Sequence, residues 1–395
     1  MSAETEAKFK MFEEKMLAEN MNEAAILAFK NSYAALSSGA TGMIGEDTIN
    51  PATDVPFLVG DIRGKVSGGE EFLPETVVLK LNGGLGTSMG LDKAKSLLLV
   101  KGEDTFLDLT AKQARKEPVM KMRDDFKSNV RFMLMNSFST SADTLDFLQK
   151  YPDLANDPNL EMVQNKAPKV DAATLEPAKW EPNPAKEWCP PGHGDLYAAL
   201  SGSGKLDQLL ADGIKYMFVS NSDNLGATLD LDLLAYFAKS EQPFLMECCV
   251  RTESDKKGGH LAVRKEDSQY ILRESAQCTS EDEVFFQDVA KHKFFNTNNL
   301  WIRHLKEAIA AAGGLIPLPM IKNSKTVDPQ DDSSPKVYQL ETAMGAAVEC
   351  FPGAGAVAVP RERFAPVKKC NDLFLLRSDA YIINDKHNIV LAPER

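Results

Sequence analysis

The chain has 395 residues, 43% of them hydrophobic and 26% charged, the make-up of an ordinary globular protein long enough for two or three domains. A formal net charge of −12 argues against a polyanion-binding surface, so nucleic acid is a poor partner. No apolar run reaches a membrane span, the acidic N-terminus lacks the apolar stretch of a secretory signal, and six cysteines without CxxC pairs point to the cytoplasm.

Residues 4–37 repeat apolar side chains at helical spacing (Phe9, Phe12, Met16; Ile26, Phe29, Tyr33) and are expected to form a helix pair on the outside of a sheet. Residues 38–75, rich in Gly, Pro, Asp and Ser, read as a connection. The stretch that organises the rest is VVLKLNGGLGTSMGLDKAKSLLLV, Val77–Val100. Val77–Leu81, with only Lys80 polar, reads as a buried parallel strand. Four glycines between Asn82 and Gly90 then leave backbone N–H groups uncovered, the make-up of an anion-binding loop, and Lys93 and Lys95 follow. The stretch matches neither GxxxxGK[ST] nor GxGxxG. Glycines alone fit a plain turn equally well; strand, loop and lysine together point to the phosphates of a nucleotide.

Further on, Thr105–Arg115 is expected as a helix, Val130–Met135 as a strand, and Ser139–Tyr151 as a helix capped by Thr140 or Ser141. Leu160–Val163 is a strand ending at Gln164, and Lys215–Val219 one ending at Asn221-Ser222-Asp223. Strands alternating with helices imply an α/β fold with a mostly parallel, doubly wound sheet, in which ligands sit beyond the carboxyl ends of the strands. The glycine loop, Gln164 and Asp223 each follow such an end. PPGHGD, residues 190–195, reads as a surface loop with Asp195 capping the next helix, or as a ligand loop. Residues 244–302 are expected as short antiparallel strands forming an inserted sheet. Within them, Asn296, Asn298 and Asn299 are either a polar turn or partners for sugar hydroxyls. His304–Ala312 and Tyr338–Cys350 are expected as helices, with Glu341 on the second. Arg361–Lys369 is basic, either a solvated loop or a second phosphate clamp.

In chain order, KLNGGLGTSMG, AKS, MVQNKAPKV, PPGHGDLY, NSDNLGATLD, KGGHL, NTNNLW, LETAMGAA and RFAPVKKCNDL resemble the blocks of the eukaryotic-type UTP–glucose-1-phosphate uridylyltransferases, from about Leu79 to Leu376. Thr87-Ser88 stands where the related N-acetylhexosamine enzymes carry arginine. Lys93-Ala94-Lys95 replaces the family's GPK, which leaves the lysine in place. The resemblance implies a Rossmann-like, glycosyltransferase-A-like nucleotidyltransferase domain over 76–370, preceded by a helical segment at 1–75. Residues 371–395 begin a C-terminal region; the family's β-helix would start where this sequence stops, which makes a monomer the expectation.

The resemblance further implies that UTP and glucose 1-phosphate give UDP-glucose and pyrophosphate, with Mg²⁺ as cofactor. It assigns Leu81, Asn82, Gly83, Gly84, Lys95, Gln164, Gly192, Asn221, Ser222, Asp223 and Lys368 to the nucleotide. Gly83, Gly84, His193, Gly259, Asn298 and Glu341 go to glucose 1-phosphate. Lys95, Lys368 and Asp223 are the catalytic groups, and Asp223 holds the metal. A UDP-sugar pyrophosphorylase of broad sugar choice and a non-catalytic nucleotide-sugar-binding protein are the alternatives.

Overall fold

The computed structural model describes residues 2–86, 89–91, 93–116, 130–384 and 387–393; Thr87 and Ser88 lie outside the described residues. The N-terminal helices are α1, Ala3–Ala18, and α2, Glu23–Ser37. The side chains of Ser2 and Asn22 accept from the N–H groups of Thr5 and Ala25, satisfying donors that a helix start leaves open. Phe12, Phe29 and Tyr33 pack together and against Val170, Cys189 and Leu340. The pair therefore lies outside a small three-stranded sheet made of Ile321–Thr326, Lys336–Glu341 and Val170–Asp171.

Among the described residues, a ten-stranded mixed sheet forms the centre. Its strands are β1 (Ile49–Pro51), β2 (Thr76–Asn82), β3 (Arg131–Asn136), β4 (Glu161–Val163), β5 (Tyr216–Asn221), β6 (Phe244–Val250), β7 (His260–Arg264), β8 (Tyr270–Arg273), β9 (Phe294–Ile302) and β10 (Gly355–Ala358). The order is β1-β7-β9-β5-β2-β3-β4, with β6 between β9 and β10, and β8 on β7. Strands β5, β2, β3 and β4 are parallel. Strand β9 runs antiparallel to both β5 and β6. The helices that matter below are α3 (Phe106–Lys116), α4 (Ser141–Leu148), α5 (Leu196–Gly202), α6 (Leu231–Lys239), α7 (Leu305–Ala311) and α8 (Cys370–Arg377).

Strand β2 shows why the parallel half forms. All seven residues are buried, and alternate side chains serve opposite faces. Val77, Leu79 and Leu81 join Met133 and Val219 in one core, whereas Val78 joins Phe132, Phe218 and Trp301 in the other. Both faces are covered, so the run reads as almost continuously apolar.

Three expectations change. The antiparallel strands at 244–302 continue the central sheet instead of standing apart. The stretch expected as one helix over Tyr338–Cys350 is a strand, Lys336–Glu341, followed by a 3-10 turn, Met344–Cys350. Val337, Leu340 and Met344 imitate a helical period, but six residue pairs with Ile321–Thr326 decide for the strand. Thr140 does occupy the N-cap of α4, yet its hydroxyl donates to Asn82 O at 2.9 Å and caps nothing.

Candidate active site

The glycine loop leaves β2 where β5, alongside it, reaches Asn221, paired with Leu81. Ser222 N donates to Leu81 O (2.9 Å) and Ser222 Oγ to Asn82 Oδ1 (3.0 Å). The Asn82 amide in turn donates to Asn136 Oδ1 (2.7 Å) and Thr144 Oγ1 (2.9 Å). Its side chain is thus engaged inside the protein, bracing three strand ends. Gly83 lies against Gln164: a Cβ there would stand 3.1–3.2 Å from the glutamine's side-chain atoms. At Gly84 the space is open, and its carbonyl accepts from Lys95 N at 3.0 Å, which folds the loop back on itself. Gly86 has φ +64°, a conformation that glycine adopts without strain.

Lys95 is returned in this way to the strand ends. Its Nζ donates to Asp223 Oδ2 at 2.5 Å and also to the carbonyl of Val367, the residue before Lys368. Three segments far apart in sequence meet at one ammonium group. Below them Lys80 is buried in β2, donating to Ser220 Oγ (2.8 Å) and Ala227 O (2.5 Å). Burial, with Arg363 nearby, brings it down to about 7, against the opposing pull of Glu247 and Asp223.

The PPGHGD loop sits across the cleft. Gly192 has φ +80°, and a Cβ there would meet Thr342 O at 2.4 Å, so only glycine fits. Thr342 N donates to Pro191 O (3.0 Å) and Gly194 N to Thr342 O (2.8 Å), which holds the loop against the end of Lys336–Glu341. His193 Nδ1 accepts from Met344 N at 3.0 Å, so the neutral ring carries its proton on Nε2. Burial brings His193 down to about 4, which keeps it neutral at pH 7. Asp195 does not cap α5. Its carboxylate accepts from Asn165 N (2.7 Å) and Asn165 Nδ2 (2.9 Å), tying this loop to the residue after Gln164. Burial pushes Asp195 up to about 7 in spite of those bonds.

The antiparallel half supplies the remaining wall. Between Glu247 and Cys248 of β6 the register on β9 jumps from Asn299 to Asn296, so Thr297 and Asn298 bulge out. Asn298 takes φ +60°, and its Oδ1 accepts from Asn296 Nδ2 at 2.8 Å. Gly345 packs on Asn296 so closely that a Cβ would stand 2.7 Å from Nδ2. Gly259 makes room for Glu274, whose carboxylate oxygen would lie 2.5 Å from a Cβ there. Burial raises the Glu274 carboxyl above the usual range, while Lys368 pulls it back down. Glu341, beside Gly192, is also raised by burial, opposed by a hydrogen bond from Asn323 and by Lys325.

Contacts link Gly83 to Gln164, Asn165 to Asp195, His193 to Met344, Gly345 to Asn296, Gly259 to Glu274, and Lys95 to Asp223 and the Val367 carbonyl, while the charge of Lys368 acts on Glu274. Of the positions expected from the sequence, Gly83, Gln164, His193, Gly259, Lys95 and Asp223 take part in these contacts. Glu274 and Asn165 were not among them; a glutamate at the end of a strand next to KGGHL is the signal that marks the first.

The family profile described as UTP–glucose-1-phosphate uridylyltransferase matches residues 27–395. The chain belongs to the UTP–glucose-1-phosphate uridylyltransferase family. The probable UTP–glucose-1-phosphate uridylyltransferase of Schizosaccharomyces pombe is 40% identical over 315 residues, 80% of this chain and 60% of the relative. That of Solanum tuberosum is 40% identical over 327 residues, 82% of this chain and 66% of the relative. The chain thus spans less than two thirds of these family members. The crystal structure of a mutant UDP-glucose pyrophosphorylase from Leishmania major, in complex with UDP-Glc, superposes with a TM-score of 0.91 at 50% identity, covering 98% of this chain and 82% of that one. A Trypanosoma brucei structure described as UDP-glucose phosphorylase gives 0.92 at 51%, with 98% and 82% covered. The uridylyltransferase fold is accordingly that of this chain.

Proposed function

We propose that this chain makes UDP-glucose and pyrophosphate from UTP and glucose 1-phosphate. The observation that carries the reading is the meeting of Lys95, Asp223 and the Val367-Lys368 segment beside the glycine loop, at the carboxyl ends of β2 and β5. A phosphate oxygen of glucose 1-phosphate attacks the α-phosphorus of UTP in line. The bond from that phosphorus to the bridging oxygen breaks, and pyrophosphate leaves. Leu81–Gly84 cradle the nucleotide, Gln164 and Gly192 read the uracil, and Asn221 and Ser222 set the floor beside Asp223. Lys95 and Lys368 stabilise charge at the reacting phosphates, the main source of catalysis where no covalent intermediate forms.

His193 donates its Nε2–H to the sugar phosphate. A base is not required, because the attacking phosphate is already ionised at pH 7. Asn298, Glu341 and Glu274 take the hexose hydroxyls. Asp223 is the residue suited to Mg²⁺: it stands just past the end of β5 beside the glycine loop, and one carboxylate together with substrate phosphates is a usual Mg²⁺ environment. An Mg²⁺ ion held by Asp223 would supply charge neutralisation at the phosphates.

We assign the chemistry to 76–370, with 1–75 as an N-terminal brace and 371–395 as the start of a C-terminal region. We place the reaction in the cytoplasm and expect a monomer. Among the described residues no helix is long and apolar enough to cross a membrane.

Pyrophosphate release from UTP and Mg²⁺ tests the reading, with glucose, galactose and N-acetylglucosamine 1-phosphates side by side. Release with the glucose ester alone is expected. Equal release with the galactose ester moves the assignment to a broad UDP-sugar enzyme, and UTP binding without release to any sugar makes this a binding protein.

A further inference from the structure

Behind the Lys95–Asp223 pair lies a buried polar cluster that the roles above leave unused. Glu247 on β6 is wholly buried and Arg363 nearly so. Arg363 Nε donates to Glu247 Oε2 and Nη2 to Oε1, both at 2.8 Å, the two-pronged geometry in which a guanidinium meets a carboxylate best. Asn299 Nδ2 (3.0 Å) and Trp301 Nε1 (2.9 Å) complete four donors to that carboxylate. A buried pair is weak evidence for stability as such, because an apolar pair of similar volume often does as well. What it touches is more telling.

Asn224 directly follows Asp223 and is 1% exposed. Its Nδ2 donates to Arg363 O (3.1 Å) and Asn299 Oδ1 (3.3 Å), and its Oδ1 accepts from Ala365 N (3.0 Å). Arg363 Nη2 also donates to Thr228 O at 3.0 Å. Gly226 is pressed so closely on the same segment that a Cβ would stand 2.2 Å from Glu362 O. The turn carrying Asp223 and the segment leading to Lys368 are stapled together through one amide, and the staple is bolted to β6 and β9.

We propose that Asn224, anchored by the Glu247–Arg363 pair, is a positioning residue that sets Asp223 and Lys368 against each other across the reacting phosphates. This rests on the roles given above to those two residues. Asp223 and Lys368 come from distant parts of the chain, and charge stabilisation fails when such groups drift by an ångström. An amide that both donates to and accepts from the backbone of one segment fixes register along it, which a single bond does not.

The test uses Asn224→Ala and Asn224→Asp in the full chain. The aspartate keeps the acceptor for Ala365 N–H and loses donation to both Arg363 O and Asn299 Oδ1. Asn224→Ala is expected to lower kcat by about 10²-fold while KM for glucose 1-phosphate stays within about twofold. The Mg²⁺ concentration for half activation is expected to rise about tenfold, the scale for groups that orient a metal's ligand. Amide exchange at Ala365 speeds up, and the aspartate variant falls between. Loss of thermal stability with unchanged kcat, Mg²⁺ requirement and exchange at Ala365 overturns the proposal. If the alanine variant does not fold, the isosteric aspartate carries the same three readouts. If the wild-type chain turns over no sugar phosphate, the functional reading fails. Exchange at Ala365 and the Mg²⁺-dependent gain in UTP affinity then decide the staple, and no change in either overturns it.

Discussion

The two halves of the central sheet present charge to the cleft in opposite ways. On the parallel side Lys95 and Asp223 are paired at 2.5 Å, so two opposite charges compensate each other at the strand ends. On the antiparallel side Glu274 is pushed by burial toward its neutral form, as is Glu341 at the end of the small three-stranded sheet. The buried imidazoles next to that wall, His260 and His292, are likewise kept uncharged. The difference fits the proposed pair of ligands: a polyphosphate calls for charge that can exchange partners, whereas hydroxyls call for fixed, well-placed acceptors.

The sharpest way to break the comparison is on the phosphate side. Lys95→Ala leaves Asp223 without its partner and the developing phosphate charge without a donor. A fall in kcat of about 10²-fold, near 3 kcal/mol, is expected on the scale of one lost oxyanion donor. Steady-state kinetics with saturating UTP and glucose 1-phosphate check it. A variant within threefold of wild type removes Lys95 from the chemistry.

The antiparallel side is the one that acid should attack. His260 and His292 stack at 3.9 Å between ring centroids, and His292 Nε2 lies 2.9 Å from Glu46 Oε1. Arg251, Arg273 and Lys291 face the same cluster. Burial, then the neighbouring His292, brings His260 down to about 2, whereas the unfolded chain protonates it at the ordinary histidine value of 6.5. Between those values the unfolded state binds the extra proton, so this contribution is fully present above 6.5 and is lost as pH falls. From pH 6.5 to 5 the loss amounts to about 2 kcal/mol for this one group. Asp195 has the opposite sign: held at about 7 when folded against 3.8 unfolded, it favours folding most at low pH and loses that contribution as pH rises to 7. The gap in urea midpoints between wild type and His260→Gln should therefore narrow as pH drops from 6.5 to 5. A constant gap would show that the imidazole is not titrating out of register with the unfolded chain.

The parallel half was the more legible in the sequence. Val77–Leu81 is apolar because both of its faces are covered, and the residues following each strand, Gly83, Gln164 and Asp223, fall at one edge by topology alone. The rest depends on contacts that no local pattern carries. Tyr338–Cys350, with Glu341, is expected as a helix, and only pairing with Ile321–Thr326 makes Lys336–Glu341 a strand. Asn298 owes its outward position to a bulge fixed across the sheet at Glu247 and Cys248. Asp195 looked like a cap and is a tie to Asn165, because the neighbouring strand end reaches it before the helix N–H groups do. Glu274 went unassigned because its place is made by Gly259, a residue on another strand's approach.

Glu274 gives the finest test of the two-sided cleft. As a carboxylate it accepts two hydroxyl hydrogens, and Glu274→Gln keeps the shape but offers one acceptor and an unwanted donor. Losing one hydrogen bond to a charged group costs about 1.5 kcal/mol, so KM for glucose 1-phosphate should rise about tenfold. Both kcat and KM for UTP should hold, since the glutamine leaves the Lys95–Asp223 side untouched. Because burial raises the Glu274 carboxyl, the acid loss of kcat/KM for glucose 1-phosphate sets in at a higher pH than an ordinary glutamate gives, and the variant loses that limb. Should KM for UTP rise in parallel, Glu274 serves the phosphates through Lys368, and the division between the two halves of the sheet does not hold at this residue.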